Sequence, residues 1–184
     1  MLVNLNEILP AARKNNYGIG HFNTSNLEIT QAIITAAEEL QAPVIIGVSE
    51  KAINYAGLLQ ITDIIRGLAE KTRIPVVIHL DHGRDFELIK RCIKAGFTSV
   101  MIDGSYLNFK ENLNLTKKVV DYAHKKNISV EAEIGRLGGV EDGINSEKNI
   151  YTEPEEAEIF AEITGCDALA IAIGTSHGAY KFKG

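Results

Sequence analysis

Ile74-Pro75-Val76-Val77-Ile78-His79-Leu80-Asp81-His82-Gly83 is the stretch whose reading decides the fold. Its first half is a β-branched apolar run, which suits a parallel strand covered on both faces. Its second half ends in a carboxylate beside an imidazole, followed by a glycine that lets the backbone turn. Aspartate is poor in strands and costly to bury without a partner. Its place at the carboxyl end of the run therefore points to chemistry more than to packing. A neutral ring nitrogen of His82 suits a metal ion, and Asp81 beside it suits proton transfer. The same pair would also serve as a cap for the next helix, so the neighbouring units must decide.

Outward from this stretch the same unit recurs. Residues 17–23, 43–49, 98–104, 128–135 and 167–174 read as further strands, and polar residues stand at or just past their ends: Asn23, Ser49, Asp103, Glu133 and, after the last, His177. Side-chain alternation puts His21 with Asn23 on one face and Glu131 with Glu133 on another, and sets Ala168, Ala170 and Ala172 opposite Leu169, Ile171 and Ile173. Helical periodicity fills the intervals at residues 2–14, 26–40, 52–70, 86–95 and 108–126. Ser25 or Asn26 is a plausible cap for the second of these, and Gly96 ends the fourth. Thr152-Glu153-Pro154-Glu155 opens the next helix with a capping-box spacing and an early proline.

Six strand–helix alternations imply a parallel sheet with right-handed crossovers, in an α/β fold. An open doubly wound sheet should carry a glycine fingerprint, and the one candidate, Gly18-Ile19-Gly20-His21-Phe22-Asn23, fails at the third glycine. A closed (β/α)8 TIM barrel instead draws its site from the carboxyl ends of many strands, which is the pattern here. Such a barrel takes about 250 residues, and this chain has 184. The expectation is a single domain, residues 1–184, that supplies the first six units of a barrel and exposes sheet edges at its first and sixth strands.

With 45% hydrophobic and 23% charged residues, the composition is that of an ordinary globular domain. A net charge of −5 without basic clusters argues against nucleic acid as a partner, while leaving room for a local anion pocket. No apolar run reaches membrane-spanning length, and residues 1–10 lack a signal-peptide pattern. Cys92 and Cys166 are far apart and form no CxxC, which fits reduced thiols in a cytoplasmic protein.

The run Gly135-Arg136-Leu137-Gly138-Gly139-Val140-Glu141-Asp142-Gly143, continuing to Tyr151, is long for a loop inside a compact domain. Paired glycines can hinge it, so Glu141 and Asp142 could ride on a closing lid. The same residues read equally as a solvated acidic loop. His82 and His177 would share one barrel rim, and two imidazoles with nearby carboxylates favour zinc or a similar ion. For His21, His79 and His124 the core or surface reading is preferred. A hydrolytic triad is excluded by the lack of GxSxG and of a cysteine at a strand end. No strand carries a lysine for a Schiff base, so carbonyl activation would fall to a metal.

These residues resemble the class II, metal-dependent ketose-bisphosphate aldolases. The resemblance lies in His79-Leu80-Asp81-His82-Gly83, Val100-Met101-Ile102-Asp103-Gly104-Ser105, the run from Val130 to Asp142, and Ala172-Ile173-Gly174-Thr175-Ser176-His177-Gly178. Phe22-Asn23-Thr24-Ser25-Asn26 and Val48-Ser49-Glu50 extend it over essentially the whole chain, in order. It implies zinc-dependent, reversible cleavage of fructose 1,6-bisphosphate to dihydroxyacetone phosphate and glyceraldehyde 3-phosphate, a step of glycolysis. Tagatose bisphosphate is the alternative substrate.

Residue by residue, the resemblance implies that His82 and His177 are zinc ligands. Asp81 would be the acid/base at the hydroxyl of the bond being broken, and Glu141 the group that deprotonates bound dihydroxyacetone phosphate. Asp103 and Glu133 would hold a second cation or an alternative metal position. Asn23 and Ser49 would touch substrate, while Gly178 and the Lys181 loop would hold phosphate or a monovalent ion. The family's third histidine ligand and its last phosphate loops have no counterpart in the 184 residues. The polypeptide alone is therefore expected to bind zinc poorly and to turn over little, and the full-length protein to form a homodimer or homotetramer. The rival reading is a non-catalytic barrel remnant that binds a sugar phosphate.

Overall fold

A computed structural model describes residues 1–137, 139–141, 144–146 and 149–174, the two short internal runs by backbone alone. The chain opens with α1 (Leu5–Asn15), β1 (Gly20–Asn23), α2 (Leu27–Glu39) and β2 (Val44–Ser49). It continues with α3 (Glu50–Ala56), α4 (Leu58–Ala69), β3 (Val76–Gly83), α5 (Phe86–Ala95), β4 (Ser99–Ile102) and α6 (Phe109–Ala123). After β5 (Ser129–Ile134) come β6 (Gly139–Glu141), β7 (Ile144–Ser146), α7 (Pro154–Thr164) and β8 (Ala168–Ile171). One parallel sheet runs β1-β2-β3-β4-β5-β8, so the six expected strands are all present and in sequence order. The sheet forms part of a TIM barrel, with β1 and β8 at its edges.

Strand alternation sorts the side chains into two environments. Val44, Ile46, Val48, Val76, Ile78, Leu80, Val100, Ile102 and Val130 face outward and pack under the helices in the main core. The inward row is graded along the barrel axis. At its floor Ile45 and Val77 meet Val3, Leu5 and Ile8 of the amino-terminal segment, an apolar plug held further by Leu5 N–H donating to Ser129 Oγ at 3.0 Å. Above the floor the paired inward positions turn polar, from Gly47 opposite His79 to Ser49 opposite Asp81. The barrel thus closes below with hydrocarbon and opens above with titratable groups.

Several local readings need correction. The helix expected over 52–70 is two helices, broken at Gly57, whose φ of 86° and ψ of 135° cannot continue a helix. Thr152 caps nothing: its hydroxyl donates to Ile134 O and accepts from Ala172 N, both at 2.9 Å, stitching β5 to the end of β8. Helix α7 starts instead behind Glu153, with Pro154 in its first turn and no side-chain cap. Helix α6 ends at Ala123 and tightens into a 3-10 turn over His124–Lys126, closed by Asn127 in a left-handed conformation. The long run after β5 is built around an antiparallel hairpin, β6 with β7, whose base is tied by paired backbone bonds of 2.7 Å between Arg136 and Ile150.

Candidate active site

The end of β3 is irregular, and that irregularity builds the site. Leu80 pairs with Val100 while Gly83 pairs with Ile102, so β3 uses one residue more than β4 over this interval. The extra residue forms a bulge, and His82 carries it with a φ of 49°. Simple alternation would send Asp81 inward and His82 outward. The bulge instead lets both reach one cleft of about 260 Å³, lined also by His21, Glu131, Glu133 and Leu137. The sequence reading gave the turn to Gly83. In the structure Gly83 stays in the strand, where a Cβ would lie 2.8 Å from Met101 O, and the left-handed residue is the histidine. A non-glycine residue held at positive φ costs of order 1–3 kcal/mol and persists where the surroundings over-determine it.

Three donors converge beside the cleft. One ligand atom each from His82, Asp103 and Glu133 lies within 4.8 Å of the others. His82 Nδ1 is 3.4 Å from Asp103 Oδ2 and 3.5 Å from Glu133 Oε2, while its Nε2 is 3.9 Å from Asp81 Oδ1. Asp103 is buried, and burial alone would raise its pKa. Hydrogen bonds with His82 and from the Ser105 hydroxyl and N–H, with the charge of His82, outweigh that and hold its carboxyl well below the usual range. One imidazole and two carboxylates are a donor set that a borderline divalent ion such as zinc accepts. The described residues therefore fit a metal.

Asp81 stands at the side of this cluster. Its Oδ2 accepts from Asn23 Nδ2 at 2.7 Å, which ties the end of β1 to the end of β3. The contact needs Gly47 between them, because a Cβ there would collide with both His21 Nε2 and Asn23 Oδ1. Gly47→Ala is expected to cost about 1–3 kcal/mol by overpacking and to loosen the Asn23–Asp81 bond. A lowered melting temperature with a reduced turnover rate in the whole protein is the result that checks it.

Beneath lies a polar layer that sequence reading undervalued. His79 is fully buried, as the core reading held; its Nδ1 is 2.8 Å from Ser99 Oγ, and its Nε2 lies 3.4 Å from Glu131 Oε2 without a hydrogen bond. His21, assigned to the core or surface, is exposed and also lines the cleft, edge-on to the His79 ring with centroids 5.2 Å apart. Its alternation with Asn23 was the available clue. Alternation puts Glu131 on the face of Glu133, and its spacing alone assigns it no task. Arg84 and Ser105, which both bond Asp103, were missed because their roles depend on loop geometry rather than spacing.

This layer makes a pH prediction. Burial first, then the neighbouring His21 and His82, push His79 from 6.5 down to about 3. Between those values the unfolded chain binds a proton that the folded one refuses. The stability contribution is therefore present above pH 6.5 and lost as pH falls toward 3. Glu131, raised from 4.5 to about 7 by burial and then by Asp81, acts oppositely: its contribution is present below 4.5 and lost as pH rises through 7. The two offset one another between 4.5 and 6.5, and below that window only His79 keeps adding a cost. Urea midpoints in chelator are expected to fall less for His79→Gln than for the native protein as pH drops below 4.5. Equal falls would contradict a neutral buried imidazole.

The other site residues from the sequence are placed as follows. Ser49 accepts from Ala52 N at 3.2 Å as the cap of α3 and, with Asn23, lines a second, more open cleft. Glu141 lies on β6, in the part described by backbone alone. His177, Gly178 and Lys181 lie outside the described residues.

Comparison with known proteins decides the family. The family model "Fructose-bisphosphate aldolase class-II" matches residues 3–184. The chain belongs to the class II fructose-bisphosphate aldolase family. It is 51% identical over 186 residues to the fructose-bisphosphate aldolase of Thermus caldophilus, covering 100% of this chain and 61% of the relative. It is 51% identical over 183 residues to that of Staphylococcus aureus strain Mu50, covering 98% and 64%. The crystal structure of the YdjI aldolase of Escherichia coli K12 superposes with a TM-score of 0.88 at 38% identity, covering 98% of this chain and 64% of that one. The chain thus spans somewhat under two thirds of the length of these relatives. Among the described residues no helix is long and apolar enough to cross a membrane.

Proposed function

We infer that the whole protein carrying this chain is a zinc-dependent aldolase that reversibly cleaves fructose 1,6-bisphosphate to dihydroxyacetone phosphate and glyceraldehyde 3-phosphate in the cytoplasm. The observation that carries this reading is the convergence of His82, Asp103 and Glu133 within 4.8 Å, with Asp81 beside them in one cleft. His82, with Asp103 or Glu133, would hold the ion, and His177 is assigned as a second imidazole ligand. When bound, the ion supplies electron withdrawal from the substrate's ketone oxygen.

The chain's own residues then handle protons. In the cleavage direction the Asp81 carboxylate takes the proton of the hydroxyl next to the scissile carbon–carbon bond. That bond's electron pair passes to the triose phosphate bearing the ketone, an aldehyde leaves, and Glu141 returns a proton to the enediolate carbon. Asn23, holding Asp81 Oδ2, fixes which oxygen faces substrate. Asn23 and Ser49 would line the substrate path, and Gly178 with Lys181 would serve phosphate or a monovalent cation. Assembly as a homodimer or homotetramer belongs to the same proposal.

The test is metal content and turnover of the purified whole protein, assayed with fructose and tagatose bisphosphates and with a chelator control. Zinc-dependent cleavage with preference for the fructose substrate is expected. Preference for tagatose bisphosphate would move the assignment within the family, and sugar-phosphate binding without turnover would support the barrel remnant.

A further inference from the structure

Within the donor cluster, both oxygens of Asp103 are already engaged. Its Oδ1 accepts from Ser105 N at 3.1 Å and from Ser105 Oγ at 2.7 Å. Its Oδ2 accepts from Arg84 Nε at 3.3 Å and lies 3.4 Å from His82 Nδ1. An ionised carboxylate has about four acceptor positions, so nothing is left over for an incoming cation. To reach Oδ2, a divalent ion must take the place of a donor. Ser105 bonds the other oxygen, and the His82 ring exchanges its own contact with Oδ2 for a bond to the ion, losing no partner. The group in competition is Arg84.

Arg84 is held where it competes. Its backbone N–H donates to Glu50 Oε1 at 3.0 Å, which fixes the start of the β3–α5 loop against α3. Its side chain is 25% exposed and that of Asp103 is 3% exposed, so solvent screens their attraction only in part. A guanidinium stays charged at every accessible pH, unlike a lysine or histidine in the same position. Without it, Asp103 would be a deeply buried carboxylate left, whenever no ion is present, with the Ser105 donors and the His82 ring, whose charge comes and goes with its proton.

We propose that Arg84 is a tethered counter-cation for Asp103 that competes with the divalent ion, setting the affinity of the site and protecting the fold when the ion is absent. This rests on the reading of His82, Asp103 and Glu133 as the metal cluster. Metal binding to this cluster then exchanges one cation for another instead of filling a bare anionic pocket, which keeps the ion exchangeable.

The experiment is zinc titration of the whole protein against a chromophoric chelator, paired with thermal melts in zinc and in chelator. Arg84→Gln should bind zinc about tenfold or more tightly, because a like charge close to the ion has been removed. Arg84→Lys should stay within about threefold of the native affinity, because the charge remains. In the melts, Arg84→Gln should lose stability in chelator and regain it in zinc, widening the gap between the two conditions; a merely structural loss would lower both alike. Unchanged or weaker zinc binding by Arg84→Gln, with His82→Ala weakened as expected, would overturn the competition alone. Unchanged binding by His82→Ala would overturn the metal cluster itself, and this inference with it.

Discussion

Asparagine at position 81 is expected to lower the turnover rate for fructose 1,6-bisphosphate by about 10²–10⁴-fold while zinc content stays at the native level. The substitution keeps the shape of the side chain and can still accept from Asn23 Nδ2, the bond that Asp81 Oδ2 makes at 2.7 Å. On the proposed mechanism, it removes the basic oxygen that takes the substrate proton. Asp81 lies at the edge of the donor cluster, with its Oδ1 3.9 Å from His82 Nε2. Loss of a proton acceptor should therefore separate cleanly from loss of a ligand. Steady-state kinetics alongside metal analysis of the same preparation checks the prediction. A variant that loses its zinc while remaining folded would make Asp81 a ligand instead.

Alanine at position 82 is expected to have the larger effect on the metal. Outer-shell partners of metal ligands are worth about 10–100-fold in affinity, and His82 is the sole imidazole among the three clustered donors. Its removal should weaken zinc binding by more than about 100-fold and abolish turnover together with it. The fold should survive, because the bulge is set by the register of β3 against β4 and the His82 side chain takes no part in the apolar core. Alanine still carries a Cβ at a φ of 49°, so some backbone strain remains. Circular dichroism that matches the native spectrum, with zinc lost on dialysis, is the expected pair of observations.

What could be read from the sequence, and what could not, divides along a physical line. The parallel sheet was legible because β-branched runs such as Pro43–Val48 and Ile74–Ile78 recur between helical patterns, and burial on both faces forces that composition. That Asp81, Asp103 and Glu133 would come together was legible because strand ends in a barrel share one rim. The bulge at His82 was not, since an imidazole at positive φ has no compositional signature, and glycine next to it drew the reading one residue too far. Gly57 as a break between two helices was also hidden, because periodicity runs on through it from Ile53 to Ile61 and Ile65. The polar layer of His21, His79 and Glu131 follows from alternation alone. Its meaning, one imidazole buried and another facing the cleft, follows only from how the sheet curls.

The central claim is that His82 and the carboxylates at the ends of β4 and β5 grip a divalent ion beside Asp81. Anomalous scattering at the zinc edge, from crystals of the whole protein grown with zinc, tests it most directly. The account predicts one strong peak within coordination distance of a ring nitrogen of His82 and of a carboxylate oxygen of Asp103 or Glu133. A peak elsewhere, or none, with the His82 ring turned out of the cleft, would contradict it.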